Sequence, residues 1–386
     1  NRPCELLIDG KRAQKAEVKL VSSGPDQARF RSETAIDGLH VSCDTQIEYD
    51  GYMWHKITFD AGKQEKKVNS IQIDIPLKKE IAEQVHCNED KNVGKFGLTG
   101  LVGGGWHKNL YAKPAFWIGN DNAGISWYAE TLKNWKNHDR NHTVEIIPGE
   151  KESIVKLRIV DCELKFTGKR VIEFGMQGTP AKPVSRKRLF NPVTPTFKVT
   201  WWPKIFEYFN YHNFSQEFFN EDFARKSLLE MKKNGTTYMH YIGSNGACPG
   251  IPEWGYFGKY WTSRPLGASI VEGNYSPHLA RSMVWTYCCL NSRSFMEFML
   301  YQIDRLTDNP FFPNKAFYYD LVGPRLCNNS DHGCGWRDDE GHLHPTYNLR
   351  GAREFHKRIY QLLKKKDPDS WPSYHITGQP AVSAVH

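Results

Sequence analysis

Phe317-Tyr-Tyr-Asp320-Leu-Val322, followed by Pro324-Arg-Leu-Cys327-Asn-Asn-Ser-Asp-His332-Gly-Cys334-Gly-Trp336, reads as a short buried strand that delivers a carboxylate at its end. A Cys/His-rich loop opens away from it, and a helix follows over Asn348–Lys366. A carboxylate at the carboxyl end of a barrel strand is a standard position for glycosidase chemistry.

Outward from this strand the same rhythm recurs. Thr196–Trp202, Thr236–Ile242, Ala316–Val322 and Ser373–Thr377 read as strands, while Asn220–Lys233, Ser276–Thr307 (one or two helices) and Asn348–Lys366 read as helices. Strands alternating with helices imply parallel βα units. A closed (β/α) TIM barrel needs eight strands and about 250 residues. Residues 185–386 are therefore expected to hold either a TIM-barrel-like catalytic domain that is incomplete in this chain, its first half, or a smaller open α/β arrangement, the incomplete barrel being favoured.

Upstream the pattern changes. From Glu17 to about Val184 short strands follow one another with turn punctuation, as in the alternating Ser70-Ile-Gln-Ile-Asp-Ile and the turn signals Asp50-Gly51 and Pro148-Gly149. Many short strands with few helices indicate a β-sandwich, here residues 1–184, with Pro76–His86 as its one expected helix. The fold class is thus multidomain, β followed by α/β, joined by a Pro-bearing linker through Pro192 and Pro195.

The 386 residues are 39% hydrophobic, enough for real cores, and 13% aromatic. That aromatic load fits stacking platforms for sugars, and it equally fits large β-rich cores. The formal charge of +8 is spread along the chain rather than gathered in one arm, which argues against nucleic acid; an acidic or sulfated glycan is the better anionic partner. No run of 18 apolar residues exists, so no membrane span is expected. Nine cysteines and sequons at Asn141, Asn213, Asn234, Asn274 and Asn328 fit a secreted, extracellular or periplasmic glycoprotein.

Asp320 is the first candidate catalytic residue, as general acid or nucleophile; alternatively it caps a loop or pairs with Arg325 or Arg337. A second carboxylate is expected from Glu253, Asp339 or Glu340, or from sequence beyond His386. Aromatic and histidine residues at or near strand ends, Trp201, Trp202, His240, Tyr241, Tyr319 and His375, with Trp254 and His332 from loops, are the candidate sugar-binding set. Strand ends converge on one face of a parallel barrel, which is what lets distant residues line one pocket. Cys327-x4-His332-x-Cys334 has two readings. A Cys327–Cys334 disulfide clamps the loop and needs no metal or cofactor, while zinc held by Cys327, His332 and Cys334, with His342 or His344 as further candidates to complete a tetrahedral set, implies a zinc-dependent hydrolase. Cys288-Cys289 reads as buried packing inside a helix. Gly103-Gly-Gly105 opens no helix, so a nucleotide site is not expected.

Phe116-Trp-Ile-Gly-Asn-Asp, Gly124-Ile-Ser-Trp127-Tyr-Ala-Glu130, Gly178-Thr-Pro-Ala-Lys-Pro183, Tyr318-Tyr-Asp320, His332-Gly-Cys-Gly335 and Arg353-Glu-Phe-His-Lys-Arg-Ile-Tyr360 resemble proteins related to glycoside hydrolase family 123. The resemblance implies an N-terminal β-sandwich ahead of a TIM-barrel catalytic domain. Family members acting on N-acetylgalactosaminides use an adjacent Asp-Glu pair after a barrel strand. Here Leu321 follows Asp320, and Asp339-Glu340 lies in a loop, so substrate-assisted hydrolysis of acetamido sugars does not carry over. The expected function is cleavage of glycosidic bonds in a poly- or oligosaccharide; the alternative is an inactive carbohydrate-binding or structural protein on the same fold.

Overall fold

The computed structural model describes residues 3–87, 98–111, 113–181, 197–200, 226, 229, 230, 233, 237–243, 246–247, 251–263, 270–272, 284–308, 316–320 and 323–375. The chain divides into unit 1, Asn1–Val184 with Trp336–Leu343, and unit 2, Ser185–Gly335 with His344–His386.

Unit 1 is a pair of antiparallel sheets, of nine and six strands, closed over one apolar core. The six-stranded sheet is built on Ile71–Lys78 and Glu152–Val160, whose residues alternate buried and part-exposed as a half-buried strand requires. Their register pairs Ile73 with Leu157 and Ile75 with Val155, so one apolar row faces inward. The larger sheet centres on Leu39–Glu48, Tyr52–Asp60 and Lys169–Thr179. Asp50-Gly51 makes the tight turn between the first two: Gly51 has φ +80°, and the Tyr52 amide donates to Asp50 Oδ1 at 3.1 Å. Trp127 occupies the centre of the core, 1% exposed and stacked on Phe116 and Phe174 with ring centroids 5.5 and 5.8 Å away.

No helix forms over Pro76–His86. Strand Ile71–Lys78 continues through Pro76, which pairs with Ile154, and Gln84–Cys87 is another strand. Proline is tolerated because the neighbour on the other side, Glu5–Ile8, is in register only up to Asp74, leaving that edge open at position 76.

Within unit 1, His55 lies half-buried, its Nδ1 2.9 Å from Thr45 Oγ1 and its ring 5.2 Å from that of Phe174. Burial pushes its pKa down to about 4. The unfolded chain then takes up a proton near pH 6.5 that the folded one refuses. Unit 1 is expected to keep its stability above that pH and to lose up to about 3 kcal/mol as pH falls from 6.5 to 4. Urea titrations across this window should show the loss, and His55→Gln should flatten it.

Unit 2 carries a four-stranded parallel sheet, in the order Phe197–Thr200, Thr237–Gly243, Ala316–Asp320 and Trp371–His375. Sequence neighbours are neighbours in space, without reversal. Three helices are described whole: α1 (Trp254–Trp261), α2 (Arg293–Thr307) and α3 (Leu349–Lys366). The expected helix Asn220–Lys233 falls almost entirely outside the described residues. In α3, Leu349, Ala352, Phe355, His356, Ile359 and Leu363 are buried at the three- and four-residue spacing of one helix face, and Lys364, Lys365 and Lys366 complement the helix dipole at its end. Glu297 of α2 takes a two-pronged ion pair from Arg358 of α3, at 2.7 and 3.0 Å. Among the described residues of the range Ser276–Thr307, the expected helix is found only from Arg293. Val284–Tyr287 is a strand, paired antiparallel with Gly246–Ala247 and Ile270–Glu272, and Cys288 and Cys289 lie between it and α2. Val-Trp-Thr-Tyr is β-branched and aromatic, which suits a pleated surface better than a helix. Among the described residues no helix is long and apolar enough to cross a membrane.

Candidate functional site

Parallel strands bring their carboxyl ends to one edge of the sheet. There Asp320 stands in register between Gly243 and His375. Tyr319, one position earlier, is 0% exposed; its ring stacks on Tyr374 at 5.3 Å and packs in the core that holds Phe295, Ile303, Phe355 and Ile359 of α2 and α3. Residues alternate between faces along a strand. Positions 243, 320 and 375 therefore lie on the face away from α2 and α3. Tyr241, paired with Tyr318, shares that face. His240 pairs with Thr200 and Phe317, three residues below the edge. One expected sugar contact is corrected: Tyr319 is core.

Trp201 and Trp202 lie outside the described residues. Glu253 is the half-buried residue just before α1, and its carbonyl accepts from the Phe257 amide at 2.8 Å. Trp254 begins α1 and meets Trp261 edge-on, 6.4 Å between centroids, at the margin of the core. Asp339 and Glu340 belong to unit 1, where Arg170 and Arg140 engage them at 3.2 and 3.9 Å. Arg325 lies over the Tyr287 ring at 4.0 Å, and Arg337 donates to the Gly341 carbonyl at 2.6 Å. Asn141 is exposed in a short 3-10 turn, whereas Asn328 is half-buried with its Oδ1 sealed from solvent; Asn213, Asn234 and Asn274 lie outside the described residues.

The Cys/His loop departs most from expectation. Cys327 and Cys334 form no disulfide; both are free thiols, 1% and 2% exposed. A third buried thiol, Cys289, approaches Cys334 with their sulfurs 3.8 Å apart, and His332 Nε2 lies 3.1 Å from Cys327 Sγ. His332 is thus turned inward and is not placed to hold a sugar. Its other ring nitrogen donates to the Tyr260 carbonyl at 2.8 Å. The loop is bound tightly: Asn329 Nδ2 donates to the Lys259 and Thr262 carbonyls, each at 2.8 Å. Gly335 has φ +83°, and a Cβ there would meet the Asn328 carbonyl at 3.0 Å, so only glycine fits the return.

The thiols divide unequally. Hydrogen bonds donated by Cys327 and Cys334 drive the Cys289 thiol far down, while the same bonds, with burial, raise Cys327 and push Cys334 up to about 12. Burial, the largest single influence, opposes protonation of His332, but the Cys289 sulfur, the Tyr260 carbonyl and Asp331 together outweigh it and raise its pKa. Cys289 is the participant that the sequence reading missed. It lies far from Cys327 along the chain, where the sequence offered His342 and His344 as completing ligands instead.

A family model described as glycoside hydrolase 123, third domain, matches residues 4–148. No curated protein matches the chain. Among solved structures, the galactosidase domain of the alpha-galactosidase-sucrose kinase AgaSK superimposes with a TM-score of 0.43 at 8% identity, over 97% of this chain and 60% of that one. The alpha-galactosidase of Lactobacillus brevis gives 0.41 at 8%, over 97% and 59%. TtGalA, the alpha-galactosidase of Thermus thermophilus, gives 0.36 at 7%, over 85% and 73%. The chain spans 60% and 59% of the length of the first two. Residues 4–148, which form most of the sandwich, are thus similar to the third domain of glycoside hydrolase family 123 proteins.

Proposed function

We propose that this chain is part of a glycoside hydrolase acting on a poly- or oligosaccharide, with the sugar at the carboxyl edge of the parallel sheet in unit 2 and Asp320 as general acid or nucleophile. The observation that carries the reading is the position of Asp320 itself. It ends an inner strand, between Gly243 and His375, on the sheet face turned away from the helices. In a (β/α) barrel that combination of edge and face is where catalytic side chains are presented. The unreversed strand order supports a barrel over a doubly wound sheet, in which the order reverses at a switch point. The second carboxylate is assigned to Glu253 ahead of Asp339 and Glu340, because those two are already engaged with arginines of unit 1.

Turnover of a panel of neutral and sulfated glycans, with product analysis, tests this. Asp320→Asn should lower kcat/KM by about 10²–10⁴-fold, the range for loss of a positioned proton donor, with the fold intact by circular dichroism. Unchanged turnover in the folded variant would end the assignment.

A further inference from the structure

Four donor atoms of unit 2 converge in its interior: the sulfurs of Cys289, Cys327 and Cys334 and Nε2 of His332, all within 4.8 Å of one another. We propose that they form a closed structural site for one Zn(II) ion, held by three thiolates and one imidazole. This goes beyond the glycosidase reading and does not depend on it.

Three independent features point to the ion. First, the donor set is one that zinc takes in structural sites, where four N/S ligands surround it tetrahedrally. With Zn–S bonds of about 2.3 Å, two sulfurs of a tetrahedron stand about 3.8 Å apart. Cys289 and Cys334 stand 3.8 Å apart. The Cys327–His332 edge is tighter, 3.1 Å, against the roughly 3.6 Å that zinc would set. Second, Cys289, Cys327 and Cys334 make a buried cluster of their own, apart from the aliphatic and aromatic core, at 0%, 1% and 2% exposure. A disulfide does not account for it, since the 3.8 Å gap is nearly twice an S–S bond.

Third, the surroundings are those of metal ligands. His332 Nδ1 donates to the Tyr260 carbonyl, which fixes the tautomer that leaves Nε2 bare and aimed inward. Amide donors point at the sulfurs: Asn291 N and Asn348 Nδ2 each lie 3.4 Å from Cys289, and Asn291 Nδ2 and Asn329 N lie 3.5 Å from Cys334 and Cys327. Such bonds stabilise sulfur that carries negative charge. Filling all four positions leaves none for water or substrate, so this site is structural, and the zinc-hydrolase reading of the loop gives way to it.

Elemental analysis of the purified full chain should find about one zinc per chain. Cys289→Ser should lower that content at least tenfold, whereas Cys288→Ser, one residue away and outside the cluster, should retain it. Because Cys289→Ser can also fail to fold, the unaltered chain gives a second measurement. Exchange of its zinc for cobalt(II) should produce the visible bands of a tetrahedral ion together with thiolate-to-metal charge transfer. An apo chain that takes up no cobalt, an octahedral cobalt spectrum, iron in place of zinc, or a Cys327–Cys334 disulfide in non-reducing peptide maps would each overturn the proposal.

Discussion

Stripping zinc with a strong chelator is expected to unfold unit 2 locally and leave unit 1 standing. Apparent binding free energies for structural zinc in small peptides run to about 10–16 kcal/mol at neutral pH, as large as the whole stability of a typical domain, about 5–15 kcal/mol. The ligands join the loop after Val284–Tyr287 to the turn around Ser330–His332, and Asn348, the residue immediately before α3, donates to Cys289. Loss of the ion leaves buried donors without their common acceptor at the junction of α2 and α3. Hydrogen exchange should therefore accelerate at least about 10³-fold in α2 and α3 while Leu39–Glu48, Tyr52–Asp60 and Lys169–Thr179 keep their protection. Zinc, and not magnesium, should restore the slow exchange, because thiolate and imidazole donors select a soft ion over a hard one. Unchanged protection in α2 and α3 of a demonstrably metal-free chain would deny the site its structural role.

The sandwich was legible because its signal is local. Ser70-Ile-Gln-Ile-Asp-Ile shows the two-residue period in one glance, and Asp50-Gly51 announces its turn; the structure adds the register. The α3 helix was legible for the same reason, its apolar stripe and terminal lysines both falling inside Asn348–Lys366. Short elements were not. Val284–Tyr287 is four residues long, too few to show a period, and its pairing with Gly246–Ala247 is a tertiary fact. Tyr319 failed as a sugar platform because it is fully buried in the core shared with α2 and α3. Cys289 was hidden by distance: a spacing motif sees Cys327, His332 and Cys334, while the fourth donor, a third sulfur, is supplied only when Val284–Tyr287 ends beside the loop.

Trp127→Ala is expected to destabilise unit 1 by about 3–5 kcal/mol, the range for a large aromatic removed from a packed core. The side chain is 1% exposed on strand Gly124–Tyr128 and touches Phe116 and Phe174 face-on and Trp135 edge-on at 6.2 Å. Deleting it leaves a cavity walled by three rings from different elements, which rigid strands cannot close. Trp127→Phe separates packing from polarity. The buried indole Nε1 has no hydrogen-bond partner among the described residues, so phenylalanine removes an unsatisfied donor while keeping a ring between Phe116 and Phe174. An unsatisfied buried donor costs about 1–3 kcal/mol, which offsets much of the volume lost, and the Phe variant should fall within about 1–2 kcal/mol of the parent. Urea unfolding of both variants measures the difference. Equal losses for Ala and Phe would mean that the indole nitrogen is satisfied after all and that the ring stack contributes little, which the three close aromatic contacts argue against.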